Sequence, residues 1–263
     1  LPAAPMTHDE SQAKHLDPLA LPTPSLALTC AAREALRIGD FVEQMLATLG
    51  RLMRTNHRAS ADEIRRLDDV VDSLYKQVKF YLTQVSRTPM GERDSRRWTD
   101  IISFTINLEQ VGDIIEKSAN DVVSKNIDRN RNFSEAGMQE LCDLHARLIS
   151  NLRLAMNVFI NNDVNDAEKL VTEKVKFREL ELVNYEKHLS RLADHTVQSI
   201  ETSSLHLDLM RDLKRVNSHF CSVAYPILEA AGVLSQSRLR AVEHERTDVT
   251  STGQNASHEG RGR

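Results

Sequence analysis

The feature that most constrains this chain is a helical segment that occurs twice, at residues 107–113 and 212–218. The two copies share their apolar positions although their polar positions differ. An apolar spacing of three and four residues predicts an amphipathic helix, and its recurrence predicts one helical unit used twice. The apolar pairs are Leu108 with Leu213, Val111 with Val216, Ala119 with Ala224 and Val122 with Ile227.

The polar positions of the repeat are asymmetric. Glu109 of the first copy corresponds to Lys214, and Asp113 corresponds to Ser218. The first copy therefore carries two carboxylates one helical turn apart, and the second copy has no matching pair. Any chemistry that needs this pair is expected in the first half of the chain.

Composition favours helices and excludes several classes of protein. Only 5% of the 263 residues are aromatic, and the chain has 9 Gly and 7 Pro. The net charge of -4 gives no basic footprint for nucleic acid, so we predict no nucleic-acid partner. No apolar run approaches the roughly 20 residues that cross a bilayer. The 3 Cys residues lie far apart, which argues against a disulfide framework.

Heptad-like spacing predicts an all-α fold of two tandem three-helix bundles, with six long antiparallel helices. Ser60 and Ser134 are predicted N-caps, and Pro226 is predicted to kink the last helix. The predicted helices cover about residues 25–55, 60–87, 96–125, 134–161, 165–193 and 202–231. The predicted domains are a Pro-rich linker (1–24), a first bundle (25–130), a second bundle (131–233) and a disordered tail (234–263).

Two helical motifs carry a resemblance to a known family. The Asn-Leu-Glu-x-Val-Gly-Asp segment at 107–113, together with the acidic segment at 67–72, resembles the PhoU-type phosphate-uptake regulator domain. That family is built from a pair of three-helix bundles. Residues 16–28 and 201–219 also resemble the cytoplasmic domain that follows the membrane part of bacterial sodium/phosphate cotransporter-family proteins.

This resemblance implies a regulatory role. It implies a domain on the cytoplasmic side of the bacterial inner membrane that modulates sodium-dependent phosphate uptake. Its partner would be the membrane transporter portion of the same protein, with the Pro-rich linker following a membrane part before Leu1. The alternative is a free-standing PhoU-like regulator. A second copy of the chain and a signalling protein are further candidate partners.

The resemblance also implies an ion site, because family members bind metal through Glu/Asp-x-x-x-Asp pairs on adjacent helices. In this chain the matching residues are Asp68, Asp72, Glu109 and Asp113. Carboxylates suit an Fe, Mn, Mg or Zn ion in the first bundle. The four residues lie off the apolar seam, so the alternative is a solvated acidic face. Gly112 favours a site, since a glycine within a helix costs roughly 1 kcal/mol unless something must come close.

No other motif points to catalysis. The chain has no Gly-rich phosphate loop, no nucleophile elbow and no His-x-x-x-His pair. We therefore predict that the chain is not an enzyme. The alternative is a carboxylate-bridged metal hydrolase or oxidase, but helical di-iron proteins usually add a Glu-x-x-His motif that is absent here. His206 and His219 are predicted to be packing residues. Lys214, Arg215 and His219 form an alternative contact surface for an acidic partner or phosphate.

Overall fold

The computed structural model describes residues 10–233. Three helices of each half pack against one another as a bundle, which confirms the predicted all-α fold. The predicted tail, residues 234–263, lies outside the described residues, and the domain boundaries at 25, 131 and 233 stay predictions. The helices of the described part are α1 (Pro24–Thr55), α2 (Ala59–Val85), α3 (Glu92–Val122), α4 (Glu135–Asn161), α5 (Val164–Ala193), α6 (Val197–Cys221) and α7 (Ala224–Ala230).

Apolar seams hold each bundle together. Ile38 and Val42 of α1, Leu67 and Val71 of α2, and Leu108 of α3 are all buried in the first bundle. Full burial of an aliphatic side chain of this size contributes roughly 1.5–3 kcal/mol. Helices of this length are therefore stabilised mainly by packing of their apolar faces.

Most helix ends follow from local chemistry. Asn56 and Asn162 end α1 and α4 in the left-handed conformation, with φ of 50° and 52°. Asparagine tolerates this conformation better than most residues do. Ser134 caps α4 as predicted, because its side chain accepts the N–H of Gly137 at 3.2 Å.

Three predicted helix starts are wrong. The α2 helix begins at Ala59, so Ser60 lies inside its first turn, where it is buried and accepts a hydrogen bond from Arg51 instead of capping. The α3 helix begins directly after Gly91, and α6 begins at Val197. The first turn of α3 is polar and leaves no mark in an apolar pattern. The first turn of α6 contains Val197 and Ile200, which are apolar but exposed and therefore do not belong to the buried seam.

Pro226 produces a break where a kink was predicted. The α6 helix ends at Cys221, and α7 starts at Ala224. Proline has no N–H to donate to the carbonyl of Ser222, four residues earlier, and its ring crowds that carbonyl. The loss of this hydrogen bond and the crowding favour the interruption at Ser222 and Val223.

Part of the predicted linker is packed against the first bundle. The buried carboxylate of Glu34 accepts the backbone N–H groups of Lys14 and His15 at 3.0 and 2.8 Å. The hydroxyl of Tyr81 donates to the carbonyl of Asp17 at 2.7 Å. Residues 10–23 therefore lie over α1 and α2, because the buried carboxylate and the hydroxyl satisfy backbone groups that a free linker would leave to water.

The α3 and α6 helices cross between the two bundles and are joined by ion pairs. Nζ of Lys117 on α3 lies 2.7 Å from Asp212, whose side chain is buried, and Nζ of Lys125, in the π-helical segment Val123–Ile127 that follows α3, lies 2.9 Å from Asp208. A buried carboxylate that lost its cation would be strongly destabilising. These pairs fix the register between the bundles.

The second junction joins α1 to α4 through His145. Its Nε2 lies 2.6 Å from the carbonyl oxygen of Leu46, and the imidazole packs directly on Gly50. A Cβ on Gly50 would come within 2.6 Å of Cε1 of His145. Glycine is therefore required here by the close approach of a rigid ring.

We expect Gly50→Ala to destabilise the protein by about 1–3 kcal/mol, because the ring and the carbonyl contact must shift. The matched control is Gly39→Ala on the same helix, where the new Cβ meets only the flexible end of Met156 at 3.1 Å. Chemical denaturation of both variants checks this. Equal stability of the two variants would contradict the packing described here.

Candidate functional site

The four predicted ligand residues lie where α2 and α3 pack against each other. Asp68 and Asp72 are one turn apart on α2, and Glu109 and Asp113 are one turn apart on α3. Asp113 is exposed, whereas the other three are partly buried. We call these four residues the acidic cluster.

Asp68 lies deeper than its off-seam position predicts. Its Oδ1 is fully buried and makes no hydrogen bond within residues 10–233. The atom lies over Gly112, where an added Cβ would be only 2.6 Å away. The missing side chain of Gly112 thus makes room for a carboxylate from α2. The close approach that the glycine suggested is present.

The charges of the acidic cluster oppose one another. Burial, and then the negative charges of Glu116, Asp113, Asp72 and Asp69, raise the pKa of Asp68 to about 7. Burial and nearby carboxylates, Asp113 before Asp72, also raise the pKa of Glu109. A cation at this position would relieve the repulsion, since an opposite charge favours the ionised form.

Glu116 is a member of this surface that sequence reasoning missed. It is the largest charged contributor to the raised pKa of Asp68, and it also lies 3.5 Å from Nε of Arg65. Glu116 follows Glu109 and Asp113 at intervals of seven and three residues. That spacing, which marks one face of a helix, was the available signal.

The acidic cluster has the oxygen ligands that a hard cation prefers, but these oxygens are not arranged around one ion position. Carboxylate oxygens are the ligands that Mg²⁺ and Mn²⁺ prefer. Within residues 10–233, no three His, Cys, Asp or Glu side chains are placed to hold one ion between them. Asp72 instead pairs with Lys76 at 3.3 Å. The four side chains remain predicted ligands and would have to rotate toward one another to share an ion.

The second bundle places basic side chains at the corresponding positions. Nζ of Lys214 lies 2.7 Å from Glu181, and Arg215 lies 3.2 Å from Asp212. His219 contacts Asn107 across the bundle junction at 2.8 Å. These groups already have partners inside the molecule. An acidic partner or phosphate that bound at this alternative surface would have to replace those contacts.

A buried polar cluster in the second bundle went unnoticed in the sequence. Arg191 donates two hydrogen bonds of 2.7 Å to the buried carboxylate of Glu140. The rings of His188 and His206 stack beside this pair with centroids 4.6 Å apart. Nε2 of His206 lies 3.3 Å from Oε2 of Glu140, whereas Nδ1 of His206 and Nδ2 of buried Asn184 make no hydrogen bond within residues 10–233. His206 is thus a packing residue, as predicted, in an unusually polar core.

The fold defines a class: an all-α protein made of a duplicated three-helix bundle. A family model described as the PhoU domain matches the chain twice, over residues 35–122 and 141–227. The chain therefore belongs to the PhoU domain family. The two matches also confirm the internal repeat.

Solved structures share this fold. The crystal structure of PhoU from Pseudomonas aeruginosa has a TM-score of 0.68 at 15% identity, covering 76% of this chain and 95% of that one. The phosphate transport system regulatory protein PhoU from Streptococcus pneumoniae has a TM-score of 0.67, also at 15% identity, covering 78% and 95%. Identities this low establish the fold alone.

The curated relatives are named for phosphate export. The chain is 47% identical over 216 residues to the "Putative inorganic phosphate export protein YjbB" of Escherichia coli K12, and 48% identical to the protein of that name from Salmonella typhimurium LT2. The match covers 82% of this chain and 40% of each relative. The chain thus spans less than half the length of these relatives.

A comparison of the two repeats shows that the polar residues in the core of the second bundle have apolar counterparts in the first. The two family matches are 106 residues apart where they begin, at 35 and 141, and 105 apart where they end, at 122 and 227. The α3 and α6 helices align at 105, whereas the buried apolar residues of α2 and α5, such as Ile64 with Leu170 and Val71 with Phe177, align at an offset of 106. At this offset, apolar Val78 and Leu82 of α2 correspond to Asn184 and His188 of α5. The first bundle has the same fold with aliphatic residues at these positions, so the fold does not require polar residues there. Polar residues on the seam of one copy only were the signal that sequence analysis overlooked.

We expect Asp68→Asn to stabilise the protein at pH 8 by about 1 kcal/mol, a value discounted for partial solvent exposure. The folded-state pKa near 7 lies above the ordinary 3.8, so ionisation costs stability as pH rises through this range. The gain should vanish near pH 4. Denaturation at both pH values checks this, with exposed Asp194→Asn in the second bundle as the control. A gain that does not depend on pH would contradict the account.

We expect His206→Ile to remove part of the acid sensitivity of the fold. Burial, followed by neighbouring His188, lowers the pKa of His206 from 6.5 to about 4. The unfolded state therefore takes up a proton over this pH range before the folded state does, and stability falls by on the order of 2 kcal/mol. Isoleucine is the residue at the corresponding position 101 of the first bundle. The melting temperature should fall less between pH 7 and pH 4.5 for the variant than for the wild-type protein. An equal fall in both proteins would refute this. Exposed His57→Gln is the control.

Proposed function

We propose that this chain regulates phosphate transport through contacts between its helical surfaces and a transport protein. The observation that carries the proposal is the double match to the PhoU domain. Relatives named for phosphate export and a structural neighbour titled as a phosphate transport system regulatory protein support the same process. Both kinds of name describe transport or its regulation, and neither describes an enzyme.

We further propose that an ion at the acidic cluster modulates these contacts. Asp68 and Gly112 are in contact across the α2 and α3 helices. An ion that drew Asp72, Glu109 and Asp113 toward Asp68 would change how these two helices pack. The high pKa of Asp68 means that such binding would release a proton near neutral pH, because metal ligands must be ionised. Fe, Mn, Mg and Zn ions are the candidates.

Two arrangements of the regulator are supported to different degrees. The structural match covers 95% of each PhoU protein, which favours a free-standing regulator on the cytoplasmic side of the membrane. The alternative is a domain joined to a membrane transporter, and the greater length of the curated relatives is the observation that favours it. None of the helices in residues 10–233 has the length and apolar character needed to span a bilayer. The relatives' names do not mention sodium, so sodium coupling stays a prediction.

We expect metal to raise the melting temperature of the metal-stripped protein, and we expect the double variant Asp72→Asn and Asp113→Asn to lack this rise. Binding only to the folded state stabilises by about 2.7 kcal/mol at a free metal concentration of 100 times Kd. Addition of Mn²⁺, Fe²⁺, Zn²⁺ and Mg²⁺ in turn, followed by calorimetry, makes the test. No rise with any metal would leave the acidic cluster as a solvated face.

Cellular phosphate flux tests the regulatory role. Cells that lack the chain should show altered uptake or release of labelled phosphate, and the wild-type gene should restore the normal flux. Unchanged flux in both directions would refute the proposal. The coding sequence upstream of Leu1 separates the two arrangements, since several apolar stretches of about 20 residues there would establish the joined form.

A further inference from the structure

The outer surface of α5 exposes a row of large apolar side chains. Val175, Leu182, Tyr185 and Leu189 are 54%, 51%, 45% and 46% exposed. We call these four residues the α5 stripe. Single scattered apolar residues are normal on a surface, whereas several large ones on one helix face indicate an interaction site.

The spacing within the α5 stripe is that of a helix-packing seam. Its members follow one another at intervals of seven, three and four residues, as the a and d positions of a heptad do. The core-facing residues of the same helix, Phe177 and Asn184, lie on its opposite side. The α5 helix therefore has one seam packed in its bundle and a second seam facing outward.

The fold does not require this second seam, because the first bundle lacks it. At the offset of 106, Val175 corresponds to Asp69 and Leu182 to Lys76. Likewise Tyr185 corresponds to Lys79, and Leu189 to Thr83. All four α2 residues are polar and exposed. The same position on the same kind of helix is thus polar in one copy and apolar in the other.

Unpaired charge along the stripe indicates what kind of helix fits it. Glu179 and Glu186 flank one edge, are exposed, and form no ion pair within residues 10–233. On the other edge, Lys174 is occupied by Tyr225, and Glu181 is occupied by Lys214. The free flank is therefore acidic, and basic residues on a partner would complement it.

We propose that the α5 stripe is a docking surface for an amphipathic helix of another protein, whose apolar seam is flanked by Lys or Arg. The partner's seam packs against Leu182 and Leu189, and its basic flank faces Glu179 and Glu186. Arg178 occupies the remaining seam position of α5, and an acidic side chain in the seam of the partner helix would pair with it. This mode of recognition places an amphipathic helix along an apolar row.

A second copy of the chain and a membrane surface fit the stripe less well. Two antiparallel α5 helices would bring Glu179 and Glu186 of one copy against the same residues of the other, which repel. An anionic bilayer would meet the same two carboxylates. The docking surface lies on the second bundle and the acidic cluster on the first, so this proposal and the ion-binding proposal can fail separately.

Binding of designed helical peptides tests the docking surface on the full chain. One probe is a labelled peptide of about three heptads with Leu seam positions and Lys flanks, and a second has Glu flanks. Fluorescence anisotropy should show at least about tenfold tighter binding of the Lys-flanked peptide. Glu179→Lys with Glu186→Lys should reverse this preference. No preference in either protein would overturn the proposal.

Two stripe variants separate the apolar seam from the charges. The charge-neutral pair Leu182→Gln and Leu189→Gln, and the set Val175→Asp, Leu182→Lys, Tyr185→Lys and Leu189→Thr taken from the first bundle, should fold normally and lose binding. Phe80→Gln, which removes an exposed aromatic residue from α2, should bind normally. Wild-type binding by the charge-neutral pair would overturn the proposal. The proposal would also be overturned if the wild-type protein were a dimer and the charge-neutral pair made it monomeric. Binding to phosphatidylglycerol vesicles that depends on the stripe, without binding to the peptide, would overturn it as well.

Discussion

Burial of the apolar stripes of long helices holds this molecule together, and the polar groups buried with them determine its chemistry. In the first bundle the seams bring α2 against α3 so closely that Oδ1 of Asp68 lies over Gly112. Desolvation there raises the pKa of Asp68 and sets up the repulsion that a cation would relieve. The acidic cluster is thus a consequence of packing as much as of its charged residues.

Duplication has left two bundles with one fold and different surfaces. The first bundle carries the acidic cluster and a polar outer helix. The second replaces Glu109 with Lys214, takes His188 and His206 into its core, and exposes the α5 stripe. The ion pairs of α3 with α6 and the insertion of His145 over Gly50 hold the two bundles in one arrangement.

The sequence predicted the fold well because its information is periodic. Seams such as Leu108 and Val111 predicted the helices, and the Ser134 cap was correct because a cap is a local interaction. Ser60 failed as a cap because its helix begins one residue earlier than the apolar pattern suggests. The depth of Asp68 and the pairing of His188 with His206 depend on how helices meet in space. The apolar periodicity of a helix shows which of its faces is buried, but it does not show which residues of another helix that face meets.

We propose that the first bundle holds an ion between α2 and α3. A crystal of the protein soaked with Mn²⁺, with anomalous diffraction used to locate the metal, would test this. We expect one strong anomalous peak within coordination distance of Asp68, Asp72, Glu109 and Asp113, with Asp72 released from Lys76. A saturated crystal with no peak there, or with its peak elsewhere, would contradict it.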